Sequence, residues 1–254
     1  MRFSEKIAVV TGAASGIGRA VSRVFLKEGA VTYLVDSNAN GIKEAVDELE
    51  EPMRLRAIAR VVDVSNSDRV REFSRTMQHD RIHVLINAAG VGVFDKSIER
   101  TEEDEWDRVL AINLKSVYLV SRAMIPLLKQ GAPSVILNIA SPHAFATGPG
   151  LAPYAASKGG VVALSRQMAF DLVDAHIRVN AIIPGPVDTP MLRSQAVQQN
   201  TTLASLGFHS EANVMGRIAT SDEFARGLVL MALEDASFIN ASPIFIDGGL
   251  LARL

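Results

Sequence analysis

The sequence contains no cysteine. That excludes a disulfide frame, a thiol nucleophile and a cysteine-ligated metal, and no metal site is expected. It also lacks a strongly basic stretch: 26 Lys and Arg stand against 28 Asp and Glu, for a formal net charge of -2. Neither nucleic acid nor an anionic membrane surface is an expected partner for such a chain. No uncharged apolar stretch approaches the length of a membrane span. Residues 1–10 carry charges and the short apolar run Ile7-Ala8-Val9-Val10, too brief for the core of a signal peptide. With no other address to read, the expected location is cytoplasmic.

What is present is material for one sizeable core, since 48% of the 254 residues are hydrophobic. No linker, repeat or low-complexity tract divides the chain, so residues 1–254 are expected to form a single domain. Short β-branched runs alternate with longer helical patterns. Strands are expected at 7–11, 31–36, 57–64, 82–87, 134–140, 177–183 and 243–246. Helices are expected at 19–29, 41–51, 103–129, 155–175 and 221–234, with Pro126 as a bend or stop. The strand runs show little polar alternation, which places them inside a parallel sheet covered by helices on both faces. Residues 188–213 lack that pattern and mix Met191, Leu203, Leu206 and Phe208 with polar residues, as a lid or substrate loop does.

A glycine-rich turn, Thr11-Gly12-Ala13-Ala14-Ser15-Gly16-Ile17-Gly18, joins the first strand to the first helix. Glycines there permit a tight turn and a close approach of backbone to a pyrophosphate, and the helix behind it offers unpaired N–H groups and a positive dipole end. An ordinary βα turn is the plainer reading, but its place directly after the first strand favours the phosphate site. Asp36 closes the second strand; a carboxylate there accepts hydrogen bonds from the adenosine ribose and repels a 2′-phosphate, which favours NAD over NADP. Asp63-Val64 closes the third strand, where the Asp can reach the adenine amino group or merely cap a helix.

Further along, Tyr154 and Lys158 stand four apart on one helical face. An ammonium beside a phenol favours the phenolate and brings it from about 10 toward the working range. The phenol then trades a proton with a substrate oxygen as hydride moves. Ser141 follows the fifth strand and is placed to hold the same oxygen. Asn113 lies within a helical stretch, where Asn is unfavourable and a special role such as a water-binding kink is expected. Each residue alone also reads blandly, as core aromatic, surface charge, turn residue or kink; their order along the chain carries the argument.

In that order the chain resembles the short-chain dehydrogenase/reductase family, from about residue 6 to residue 249. The glycine motif corresponds to Thr11 through Gly18, including Gly12, Ser15, Gly16, Ile17 and Gly18, and the Asn-Ala-Gly motif to Asn87-Ala88-Ala89-Gly90. The catalytic tetrad falls on Asn113, Ser141, Tyr154 and Lys158. Pro184-Gly185-Pro186-Val187-Asp188-Thr189 matches the family's Pro-Gly stretch, with Val187 and Thr189 expected at the nicotinamide carboxamide, and Asp247-Gly248-Gly249 matches the family ending. The resemblance implies a Rossmann-type doubly wound α/β fold with a seven-stranded parallel sheet. It also implies that Lys158 binds the nicotinamide ribose, that Asn113 holds a water in a proton relay, and that the protein is a homotetramer. Two departures stand out. Ala88 replaces the usual Asn, which puts one sheet-bridging hydrogen bond in doubt, and Asn240-Ala241 replaces the usual Thr-Gly, which puts a turn in doubt.

The expected function is thus an NAD-dependent oxidoreductase acting on a small alcohol or carbonyl substrate such as a sugar or polyol. A 3-oxoacyl reductase is similar in overall pattern, but Asp36 counts against its NADPH use. A cofactor-binding regulator without catalysis is opposed by the complete tetrad. His143, close after Ser141, is read as a substrate contact or a loop-bonded histidine, and Arg193 and His209 as surface charges or contacts to an acidic substrate.

Overall fold

The computed structural model describes residues 1–198, 200–203 and 213–253. Seven strands form one parallel sheet: β1 (Ile7–Thr11), β2 (Val31–Asp36), β3 (Ala57–Val61), β4 (Val84–Asn87), β5 (Ser134–Ile139), β6 (Ile177–Pro184) and β7 (Pro243–Ile246). Their spatial order is β3-β2-β1-β4-β5-β6-β7. The chain winds outward from β1 to β3, then crosses back to β4 and winds the other way. The switch therefore lies between β1 and β4, registered through Ala8↔Val84 and Val10↔Ile86, and a crevice opens beyond their carboxyl ends.

The helices are α1 (Gly16–Lys27), α2 (Ala39–Asp47), the single turn α3 (Glu51–Arg54), α4 (Ser67–Arg75), α5 (Glu103–Leu110), α6 (Ser116–Gln130), α7 (Ala152–Leu172), α8 (Pro190–Gln198) and α9 (Ser221–Leu230). Successive strand residues point to opposite faces, and both faces are covered. Ala8 and Val10 pack with Val21 and Phe25 of α1 and Phe224 and Leu228 of α9. Ile7 and Val9 pack with Val120, Met124 and Leu128 of α6 and Met168 and Leu172 of α7. This two-sided burial is why the strand runs carry so few polar positions.

Several boundaries differ from those read in the sequence. The first helix begins at Gly16, inside the glycine turn, rather than at 19, and β3 ends at Val61 rather than 64. The stretch 103–129 is not one uniform helix: a π-helical turn, Ala111–Lys115, separates α5 from α6 and contains Asn113. Pro126 neither stops nor ends α6. It and Arg122, whose carbonyl it leaves unpaired, face solvent, where water satisfies the carbonyl. The run Glu103–Gln130 has the length and hydropathy of a membrane crossing, yet its apolar side lies in the core just described. Helix α4 escapes sequence reading because only Val70 and Phe73 of its nine residues are buried; it starts where the Asn66 side chain accepts from the N–H groups of Asp68 and Arg69. The expected loop at 188–213 includes helix α8; Leu206 and Phe208 lie outside the described residues.

Candidate active site

A cleft of about 310 Å³ opens at the β1/β4 switch, bounded at one end by Gly12, Gly16, Asp36 and Asp63 and at the other by Tyr154 and Lys158. Ser15, Ile17, Gly18, Val64 and Thr189 also line it. Gly12 has a φ of +69°, and a Cβ there would sit 2.8 Å from the Ala88 carbonyl oxygen. At Gly18 a Cβ would lie 2.2 Å from the Gly12 carbonyl oxygen, so only glycine lets α1 begin this close to the turn. Ser15 caps α1 by position but makes no side-chain capping bond. The first N–H groups of α1 are thus left for a ligand at the positive end of the helix. These features fit a dinucleotide pyrophosphate. Asp36 is steadied by the N–H groups of Ala14 (3.1 Å) and Asn38 (2.9 Å), both on its carboxylate oxygens. Asp63 accepts from the Ser65 N–H and hydroxyl on a single oxygen, Oδ1.

The chemical end is assembled from β5 and α7. Ser141 ends the connection from β5 and accepts a hydrogen bond from the His143 N–H (3.3 Å) in the turn Pro142–Ala144. Tyr154 lies in the first turn of α7, half-buried, with its phenol close to the Ser141 hydroxyl. Lys158, one turn later, is buried; its Nζ lies 5.8 Å from the Tyr154 ring centroid and donates to the Ile139 carbonyl (2.8 Å). Desolvation lowers the ammonium pKa to about 8. The expected fall in the Tyr154 pKa is not found. Burial pushes the phenol above its ordinary value, and the Ser141 hydroxyl only partly opposes this. The protein by itself therefore holds a neutral phenol.

Asn113 is buried in its π-helical turn, with both of its amide hydrogens and one oxygen lone pair bonded. Nδ2 donates to the Val91 carbonyl (2.9 Å) and to Ser157 Oγ (3.0 Å), and Oδ1 accepts from the Val91 N–H (2.8 Å). These bonds clamp the strand-to-helix loop that borders the cleft. Ser157 in turn donates to the Tyr154 carbonyl (2.7 Å), so the clamp reaches the helix that carries the phenol.

Asn87 and Val187, two other expected cofactor contacts, have side chains engaged within the protein. Asn87 turns its amide away from the cleft, donating to Ser121 Oγ (3.1 Å) and Asn138 Oδ1 (2.8 Å), while Asn138 donates to Ser165 Oγ (2.9 Å). This buried chain ties β4 and β5 to α6 and α7. It also answers the doubt raised by Ala88, because the bridge between the strands is made by Asn87. The Val187 side chain is buried, and its bridge to Ala219 is bonded through the Pro186 carbonyl and the Asp188 N–H; Thr189 lines the cleft. At the other departure Asn240 Oδ1 accepts from the N–H groups of Val179 (2.8 Å) and Ala241 (3.0 Å), and Ala241 adopts a φ of +56°. Arg193 is spent on a two-bond ion pair with Asp188 (2.8 and 2.9 Å). His209 lies outside the described residues.

Sequence reasoning placed Thr11 in the glycine turn without a role for its hydroxyl, and missed Phe94. The Thr11 hydroxyl accepts from the N–H groups of Ala88 (3.0 Å) and Ala89 (3.2 Å), stitching β1 to the end of β4. Its place immediately before Gly12 was the available signal. Phe94 is buried with its ring 5.8 Å from that of Tyr154; no local pattern marks it.

Residues 6–200 match the short chain dehydrogenase family. A 3-oxoacyl-[acyl-carrier-protein] reductase of Thermotoga maritima is 32% identical over 253 residues, covering 99% of this chain and all of the relative. Cyclopentanol dehydrogenase of a Comamonas species is 32% identical over 254 residues, covering 99% of each. The crystal structure of a 3-ketoacyl-(acyl-carrier-protein) reductase from Brucella melitensis complexed with NADH superposes with a TM-score of 0.86 at 31% identity, over 97% of this chain and 98% of that one. With the glycine turn, the tyrosine and the lysine gathered in one cleft of a doubly wound sheet and the serine close to the tyrosine, the chain belongs to the short-chain dehydrogenase/reductase family and is an oxidoreductase.

Proposed function

We propose that this protein uses NAD to interconvert a secondary alcohol and its ketone in a small, neutral, polar substrate such as a sugar or polyol. The observation that carries this reading is Tyr154, close to the Ser141 hydroxyl, with Lys158 one turn later on the same helix, both in the same cleft as Asp36. Gly12 and Gly16 and the start of α1 would hold the pyrophosphate, Asp36 the adenosine ribose, Asp63 and Val64 the adenine, Lys158 the nicotinamide ribose, and Thr189 the carboxamide. The nicotinamide, when bound, supplies the hydride acceptor or donor. Ser141 and Tyr154 hold the reacting oxygen between their hydroxyls. In reduction the neutral Tyr154 phenol gives that oxygen its proton; in oxidation the phenolate takes it back, steadied by the Lys158 charge. Helix α8 brings Met191 to the cleft and begins the segment assigned here as the substrate loop. The Brucella structure with NADH and the acidic Asp36 both support NAD.

A panel of polyols, sugars, hydroxy acids, secondary alcohols and 3-oxoacyl thioesters, assayed with NAD and NADP through absorbance of the reduced nicotinamide, tests this. Turnover of neutral secondary alcohols with NAD is expected. Turnover confined to 3-oxoacyl thioesters with NADPH would overturn both substrate and cofactor. We further propose a homotetramer, supported by the exposed aromatics Tyr118 and Phe170 on α6 and α7; light scattering showing a monomer at micromolar concentration would contradict it.

A further inference from the structure

Phe94 is buried, yet it belongs to none of the apolar clusters that make up the core. Its aromatic partner is the residue that moves the proton. The rings of Phe94 and Tyr154 are tilted by 52° with centroids 5.8 Å apart, the contact geometry of an aromatic pair. The packing of Phe94 is therefore explained at the phenol and not in the core.

The backbone is fastened on both sides of Phe94. Before it, Val91 exchanges two hydrogen bonds with Asn113. After it, Lys96 forms a parallel bridge with Leu151, its N–H donates to the Gly150 carbonyl (3.4 Å), and its ammonium pairs with Glu105 (2.5 Å). Leu151 immediately precedes α7, so this second anchor is tied to the helix that carries Tyr154. Gly92 lies between the anchors. A Cβ on it would sit 2.1 Å from Cζ of Phe94 and 2.5 Å from Cε2, so the ring fills the space that a side chain at 92 would take. Gly92 does not have a positive φ. The ring of Phe94, not the backbone, is what requires glycine there.

Resting on the oxidoreductase reading above, we propose that Phe94 is a positioning residue for the proton transfer: seated on Gly92, it holds the Tyr154 ring in its working orientation and keeps water from that flank of the phenol. Water there would compete with the substrate oxygen for the phenol hydrogen bond, and it would favour the phenolate, which burial disfavours. Among the described residues, the titratable groups facing the ring are Lys158, whose ammonium lies 5.8 Å from its centroid, and His143, whose imidazole meets it edge-on at 5.9 Å. Neither is altered by a substitution at 92 or 94, so a change of phenol ionisation in such variants reports the access of water.

The test uses Phe94→Ala, Phe94→Leu, Gly92→Ala and the double variant Gly92→Ala with Phe94→Ala. Ultraviolet difference titration of each protein against its own Tyr154→Phe form isolates the Tyr154 phenolate from those of Tyr33 and Tyr118, and it needs no substrate. Relative to wild type, the midpoint should fall by about one unit in Phe94→Ala and stay near wild type in Phe94→Leu. Gly92→Ala should reproduce the fall with Phe94 intact, because the added methyl displaces the ring. The double variant should fall no further than Phe94→Ala, since both changes act through one contact. On a substrate from the panel above, kcat on the alkaline plateau should drop about 10–100-fold in Phe94→Ala, with KM for NAD unchanged and the rise of the oxidation rate moved to lower pH. Circular dichroism and bound-NADH fluorescence establish that the variants fold and hold cofactor. An unchanged midpoint in Phe94→Ala overturns the proposal, as does an unchanged plateau or a Gly92→Ala that titrates as wild type. The oxidoreductase reading fails separately, if no alcohol or ketone in the panel reacts; the titration still decides the part played by Phe94.

Discussion

The side chain of Asn113 and the backbone of Val91 exchange two hydrogen bonds, one in each direction, at 2.9 and 2.8 Å. They lock the loop after β4 against the π-helical turn. Asn113→Leu keeps the branched shape of the side chain but strands the Val91 N–H and carbonyl in a half-buried position. Each unmade bond there costs about 1–3 kcal/mol, so unfolding stability should fall by about 2–6 kcal/mol and activity with it. Urea denaturation followed by fluorescence measures the first; an unchanged midpoint would contradict the clamp.

Tyr154→Phe removes one hydroxyl and keeps the ring. NAD binding should survive while turnover falls by about 10²–10⁴-fold, the usual worth of general acid–base catalysis. Steady-state kinetics beside NADH titration separates the two. Because burial raises the phenol pKa, ultraviolet titration of the protein alone should show no Tyr154 phenolate below about 10. The oxidation rate should rise with pH, while the neutral phenol serves reduction at lower pH.

Lys158 carries a stability consequence of its own. Its pKa falls from 10.5 in water to about 8 in the fold, which corresponds to about 3 kcal/mol of burial cost when the amine is charged. Between those two values the unfolded chain binds more protons than the folded one, so stability rises with pH across that window, and below it the cost is felt in full. Lys158→Met, which also forfeits the bond to Ile139, should therefore abolish most activity yet stabilise the cofactor-free protein at neutral pH by about 1–3 kcal/mol. That advantage should shrink as pH climbs through the window. Thermal melts at neutral and alkaline pH check this; a less stable variant at neutral pH would refute it.

Asp36 should set the choice of cofactor. NAD is expected to exceed NADP by at least about tenfold in kcat/KM, a difference of about 1.4 kcal/mol, and Asp36→Ala should narrow the gap by removing the charge that meets the 2′-phosphate. Equal or better turnover of wild type with NADP would refute the assignment.

At Ala241 the backbone lies in the left-handed region, φ +56°, held by the Asn240 side chain. A Cβ is unfavourable there, so Ala241→Gly should stabilise the fold by about 0.5–1 kcal/mol. Chemical denaturation of the variant gives the sign directly.

The elements legible in the sequence were those whose signals are local. The central strands announced themselves as apolar runs because both of their faces are covered, and the glycine turn did so because backbone contacts such as Gly18 against Gly12 admit no side chain. Tyr154 and Lys158 were legible through helical spacing. What depends on distant partners was hidden. The π-helical turn at Asn113 is fixed by Val91 and Ser157. The rise of the Tyr154 pKa comes from burial, to which the spacing of Lys158 is blind. The direction of the Asn87 amide is decided by Asn138, on a strand far along the chain. Helix α4 lacked an apolar stripe to read.

The buried chain Ser121–Asn87–Asn138–Ser165 constrains how this sequence can vary over time. Replacing either Asn with a hydrocarbon abandons a neighbouring amide in a dry interior, a worse state than keeping both or losing both. Single steps away from the set pass through an unfavourable intermediate, while concerted exchange for apolar residues does not. The four positions should therefore be inherited as a block: among descendants of this gene the two asparagines persist together or disappear together, and a substitution found at one foretells a substitution at the other.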